Sequence, residues 1–335
     1  MAAERCWLGA TVASTIGAFA LAALLAPPTT ASAPPALTWL LFLSSSVHVA
    51  STGFLFSLRD VRAQVAANPA RYLLAPISLV VLGGAAAALL TPSTLAWPLL
   101  GYFGWQQWHY QKQNLGIAAL AASSHGLPSL TSTERRALQV SGIAGIGGLV
   151  THPALLQLHI HPHAGPLFAL SGALLVVAIA SGLAALGRRA APDRPVELVV
   201  VYVIGLLFSA PVFLFSNPYA AVGGMTIAHG LQYVLLVGLI SNGNGTGTAR
   251  LISVATFANV ALIGGAVLNG ASHLHSSGPA VRAVYGAYLG LVMAHFVVDA
   301  GLWRLRDPAA RAFVSARLPY LVPPRTVEQR ELVRA

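Results

Sequence analysis

Apolar residues fall in long runs of about 20, the length that carries a helix across the hydrocarbon core of a bilayer. Ten such runs can be read: residues 6–26, 36–58, 72–90, 95–120, 138–150, 166–186, 196–216, 223–240, 251–269 and 281–305. The fifth is short and is expected to tilt or to run on towards Leu158. Polar punctuation separates the runs, with the Pro-rich PPTTASAPP after the first and NGNGTGT after the eighth marking turns. The pattern predicts an all-α, polytopic transmembrane helical bundle of about ten helices. Residues 1–305 form the membrane domain, and residues 306–335 a basic cytoplasmic tail that opens with a short interfacial helix.

Arginines orient the bundle. Arg59, Arg62, Arg71, Arg135, Arg136, Arg188, Arg189, Arg194 and Arg250 fall in alternate loops, and Arg306, Arg311, Arg317, Arg325, Arg330 and Arg334 in the tail. Only Arg282 edges the opposite side. Positive charge gathers on the cytoplasmic face, so both termini are expected inside. Ala31-Ser32-Ala33 resembles a signal-peptide cleavage site, but the preceding run exceeds a typical signal core and Pro34 would follow the cut; an uncleaved helix is expected.

Composition fits a bilayer setting. Of 335 residues 56% are hydrophobic and 8% charged, with a mean hydropathy of +0.71, which leaves too little polar surface for a soluble domain. The net charge of +10 is accounted for by the loop and tail arginines, so no nucleic-acid partner is expected. The chain is expected to be integral to a membrane, taken as a bacterial plasma membrane. A lone Cys6 excludes an intramolecular disulfide and cysteine-ligated zinc or iron–sulfur sites. Nine acidic residues, only Asp299 of them clearly inside a run, exclude a carboxylate-rich di-iron bundle.

Against this background the polar residues inside the runs carry the information. The stretch GYFGWQQWHYQKQNLG, residues 101–116, holds four glutamines, an asparagine, a histidine and the chain's only lysine. Hydrocarbon cannot satisfy these groups, so they must face a protein-lined interior. Four histidines, His48, His109, His229 and His295, fall near the middle of four different runs and can share one layer. Residues three and four apart share a helix face, which puts Gln106 and Gln113 beside His109, Gln232 and Tyr233 beside His229, and Asp299 beside His295. A metal-bound imidazole needs such partners to fix its tautomer, and Asp299 could itself be a ligand. Lys112 can reach the headgroups or meet a substrate carboxylate. Tyr102, Trp105, Trp108 and Tyr110 either line a pocket beside His109 or form an interfacial belt.

Other histidines lie outside the runs. His152, His159, His161 and His163 in THPALLQLHIHPHAG, and His273 and His275 in SHLHSS, fall on the outer face, where they either bind metal weakly or are solvated loop. His125 reads as a surface residue of an inner loop.

The order and separations of His48, His109 and His229 resemble the motif histidines of the Brp/Blh carotene dioxygenases, integral-membrane non-haem iron oxygenases that take their histidines from separate transmembrane helices. Where the family pattern would place a second histidine one turn after the third, this chain has Tyr233, so that His295 would supply the missing ligand. The segments VHVAST and WHYQKQN also lack the HG and HFG character of the family. The resemblance implies an oxidoreductase holding Fe(II) through His48, His109, His229 and His295. Gln106, Gln113, Gln232, Tyr233 and Asp299 would orient ligands or reduced oxygen around a lipophilic substrate from the bilayer, with an electron-donor protein where the reaction needs one. Two other readings stay open at this stage: a b-type haem held by two of the four histidines, and a metal-ion or proton transporter.

Overall fold

The computed structural model describes residues 2–28, 32–160, 164–243, 246–276 and 278–323. His161 and His163 of the HIHPH segment, and Arg325, Arg330 and Arg334 of the tail, lie outside them. Among the described residues every regular element is helical.

The rods follow the apolar runs, with ends set by local chemistry. They are α1 (Ala2–Leu24), α2 (Pro35–Leu55), the short α3 (Arg59–Ala67), α4 (Ala70–Leu89), α5 (Pro92–Ser124) and α6 (Ser132–Thr151). After them come α7 (Gly165–Gly187), α8 (Val196–Leu207), α9 (Tyr219–Asn242), α10 (Gly247–Ser272), α11 (Pro279–Leu302) and α12 (Pro308–Arg317). Seven of them, α1, α2, α4, α7, α9, α10 and α11, are long and apolar enough to cross a membrane. The long α5 and α6 are diluted by polar residues, and α8 is short.

Several boundaries differ from the sequence reading for identifiable reasons. The fifth run is not a short span: a capping box between Thr131 and Glu134 starts α6 well before the apolar stretch and extends it to 20 residues. The seventh run is broken. Pro211 lacks a backbone donor and its ring crowds the Leu207 carbonyl, so α8 stops there and only the turn Pro211–Leu214 resumes. The side chain of Asn217 caps the next helix by accepting from the Tyr219 and Ala220 backbone N–H groups. The first inner loop contains α3, an amphipathic helix that burial of Val61 holds against the bundle.

Two contacts set the spacing around the later site. Gly83 of α4 lies on the backbone of Gly286 in α11 with no room for a Cβ, so these helices touch main chain to main chain. Gly230 of α9 lies in the same way on the Ser44 backbone of α2. At the loop end of α6, buried Glu134 accepts from Arg189 at 2.6 and 2.8 Å, and its carbonyl accepts from the Tyr202 hydroxyl at 3.0 Å, which ties α6, α7 and α8 together. The start of the tail is not detached: Phe313 and Val314 of α12 are buried in the same core as Trp7 and Leu302.

Candidate metal centre

Each of the four histidines His48, His109, His229 and His295 arrives on its own helix. His48 follows a π-turn over Phe42–Val47 that adds a residue to one turn of α2 and resets the phase of the side chains after it. His109 sits mid-way along α5, His229 beside the close-packed Gly230 of α9, and His295 two turns before the end of α11. All four are buried, with 0–9% of their surface exposed.

Their rings form a closed four-membered circuit. Ring centroids are 4.9 Å apart for His48–His229, His229–His109 and His48–His295, and 5.0 Å for His109–His295, each pair near edge-on. His48 Nε2 and His295 Nε2 are 3.2 Å apart. Two imidazole nitrogens each about 2.0–2.1 Å from one ion lie roughly 2.8–3.4 Å apart between octahedral and tetrahedral angles, so this spacing fits a shared ion. Asp299 completes the group: its Oδ2 is 3.6 Å from His295 Nε2 and 4.0 Å from His109 Nε2. Two overlapping ligand sets result, His48–His229–His295 and His109–His295–Asp299, each with donor atoms within 4.8 Å of one another.

The surroundings prepare these donors. Tyr233 donates to Asp299 Oδ1 at 2.8 Å, Thr52 Oγ1 lies 2.9 Å from the Tyr233 hydroxyl, and Thr52 Oγ1 lies 2.7 Å from His295 Nδ1. A carboxylate only accepts, so the hydrogens run one way: His295 Nδ1–H to Thr52, Thr52 to Tyr233, Tyr233 to Asp299. That order fixes the His295 tautomer and leaves its Nε2 lone pair bare, as a metal ligand requires. His109 Nε2 and both ring nitrogens of His229 are buried without a hydrogen-bond partner. Each such orphan costs on the order of 1–3 kcal/mol, and a bound cation relieves His109 Nε2 and one of the two His229 nitrogens. The residues present therefore fit a metal ion.

No protein-family profile matches this chain, and no curated protein and no solved structure matches it either. The reading of the site thus rests on its own geometry.

Set against the sequence expectations, the structure brings His48, His109, His229, His295, Tyr233 and Asp299 together and sends the glutamines elsewhere. Gln113 donates to the His229 carbonyl at 2.9 Å and to Gln232 Oε1 at 2.8 Å, while Gln232 donates to Thr15 of α1 at 2.8 Å. Neither touches a histidine ring; they bolt α5, α9 and α1 together behind the site. Gln106 lies against the Tyr110 hydroxyl, and the Tyr110 ring packs tilted on His229 with centroids 4.3 Å apart. Lys112 is exposed and lies 4.8 Å over the Trp108 ring, away from the centre. His125 is half-buried beside Glu197, at 3.8 Å, instead of free on the surface. His273 and His275 are exposed. Two participants escaped sequence reasoning. Thr52 lies one turn after His48, so the same-face rule applied to the other histidines would have found it. Phe296, stacked on His109 at 4.5 Å, carries no polar signal.

Proposed function

We propose that the chain is a membrane-embedded non-haem iron oxidoreductase, an oxygenase of lipophilic substrates, with Fe(II) held at His48, His109, His229, His295 and Asp299. The observation that carries this reading is the His109–His295–Asp299 group, two imidazoles and one carboxylate converging in a buried site. That donor set is the one non-haem Fe(II) oxygenases use. His48 and His229 form a second set around the shared His295, so the centre offers more donors than the four of a closed zinc site.

Bound there, Fe(II) would supply activation of dioxygen. The chain's own residues do the remaining work: Asp299 and the imidazoles hold the ion, Thr52 and Tyr233 orient His295 and Asp299, and Tyr110 and Phe296 wall off two of the rings. Apolar helices around the centre exclude water and admit lipophilic molecules from the bilayer. A reaction that takes up only one oxygen atom requires a separate electron-donor protein.

The same reading extends to topology. In it α5, α6 and the broken rod from α8 to Leu214 cross beside the seven apolar helices, their polar faces turned inwards, which gives ten crossings with both ends on the arginine-rich cytoplasmic side of a bacterial plasma membrane. The likeness to the Brp/Blh dioxygenases is then a shared use of histidines from separate helices.

Packing favours a bare ion over the other two readings. A haem needs two imidazoles facing each other across a porphyrin plane, and here the centroids of neighbouring histidine rings lie within about 5 Å, with Phe296 and Tyr110 against them. A channel needs a water-filled path past its ligands, and here the four histidines and Asp299 are all buried.

The test is oxygen incorporation. Iron-loaded protein in bilayers, given labelled dioxygen and a mixed pool of lipids and carotenoids, should yield a labelled product that His109→Ala abolishes. Equal labelling with the variant would contradict the proposal.

A further inference from the structure

An apolar cavity of about 240 Å³ lies between α4, α5 and α11. It owes its existence to helix geometry. The glycine contact of Gly83 with Gly286 draws α4 onto α11, while Pro98 inside α5 removes a backbone donor and crowds the Thr94 carbonyl, and Gly101 one turn on adds no side chain to fill the gap.

Its placement relates it to the metal centre. The α5 residues that line it, from Leu95 to Trp105, run about 15 Å along the helix at 1.5 Å per residue. Trp105 is one turn, and Tyr102 two turns, from His109 on the same face, and Met293 lies two residues before His295. Between cavity and histidines stands one ring: Phe296, 5.6 Å from Trp105 and 4.5 Å from His109. At the other side the cavity opens laterally, since its lining residues Leu82, Pro98 and Gly101 are exposed on the outer surface of the bundle, Leu82 by 65%. No charged group lines it.

We propose that this cavity takes a single hydrocarbon chain of a bilayer lipid and guides it to the face of Phe296, so that the substrate of the centre is a long-chain lipid approached through its tail. The proposal rests on the oxygenase reading for its purpose but not for its geometry. Three features select the occupant. The opening lies on the side of the apolar helix α4, where the exposed Leu82 borders it. The lining offers a headgroup no charge, and its polar groups are the Tyr102 hydroxyl and the Trp105 indole N–H. And about 240 Å³ of mostly apolar space beside some 15 Å of α5 has room for a length of hydrocarbon chain.

A photo-crosslinking experiment tests it. The protein is reconstituted with phosphatidylcholine carrying a diazirine at the acyl terminus, irradiated and mapped by mass spectrometry, beside Gly101→Phe and Met293→Trp. A Cβ at Gly101 meets nothing within 4 Å, so the larger side chain can enter the cavity without displacing the backbone. The expected result is label on Tyr102, Trp105 or Met293 in the wild type, reduced at least tenfold in monodisperse Gly101→Phe protein whose iron content is unchanged. Label on these residues that neither variant reduces, or label confined to lipid-facing positions such as those of α7, would overturn the proposal. Iron binding is measured on the same samples, so a protein that takes up lipid but no iron would fault the oxygenase reading alone.

Discussion

Tyr233 donates its hydroxyl hydrogen to Asp299 at 2.8 Å and so turns a buried carboxylate towards the histidines. The same hydroxyl takes a hydrogen from Thr52, which takes one from His295. A phenol, an alcohol, an imidazole and a carboxylate thus form one directed chain whose two ends, His295 Nε2 and Asp299 Oδ2, meet at 3.6 Å.

Removing the middle of that chain should loosen the metal without unfolding the protein. Tyr233→Phe and Thr52→Val are each expected to weaken iron affinity by about 10–100-fold, measured by competition with a chelator, while elution and thermal stability stay close to wild type. Unchanged affinity in both would show that the chain does not orient the ligands.

The two ligand sets share one member. His295 belongs to both, whereas His229 belongs to one. His295→Ala should therefore lose nearly all bound metal, and His229→Ala should retain a measurable fraction of it. Metal analysis of the two purified variants checks the order.

Gly230 holds His229 in place by letting α9 rest on the Ser44 backbone. Gly230→Leu must push the helices apart; overpacking of this kind costs about 1–3 kcal/mol or more and here also separates His229 from His48. Reduced thermal stability and reduced metal content should appear together.

A further prediction concerns pH and lies outside the apolar stretch of α6. Burial pushes the Glu134 carboxyl up, but hydrogen bonds from Arg189 and from the Thr131 backbone outweigh it and hold the group below its usual range. A lowered folded-state pKa contributes stability that is present above the unfolded value of about 4.3 and is lost as pH falls through the folded one. Thermal stability in detergent should thus hold from neutral pH to about 5 and drop below about 4. Glu134→Gln should lose on the order of 1–3 kcal/mol at pH 7, because Arg189 loses its charged partner and keeps only the Pro128 and Ser129 carbonyls, and should flatten that acid limb.

Much of this architecture was legible before any coordinates. Long apolar runs can do little else than form helices, and histidines in four of them at one depth have few places to point but inwards. What was hidden depends on partners. The same-face rule puts Gln232 near His229 but cannot say that Thr15 of a distant helix will take its amide. The π-turn before His48 shifts helix phase without a mark in composition. Pro211 was visible, yet whether a proline kinks or stops a helix depends on what receives the freed carbonyl. The cavity beside Phe296 arises from the joint effect of Gly83, Pro98 and Gly101 on three helices, which no single run reveals.

The most direct test of the central claim is iron content together with the optical spectrum of detergent-purified protein, beside the double variant His109→Ala, His295→Ala. Near-stoichiometric iron with no Soret band, lost in the variant, is the predicted result. Protein that stays free of metal after reconstitution with ferrous iron, or that shows a Soret band, would contradict it.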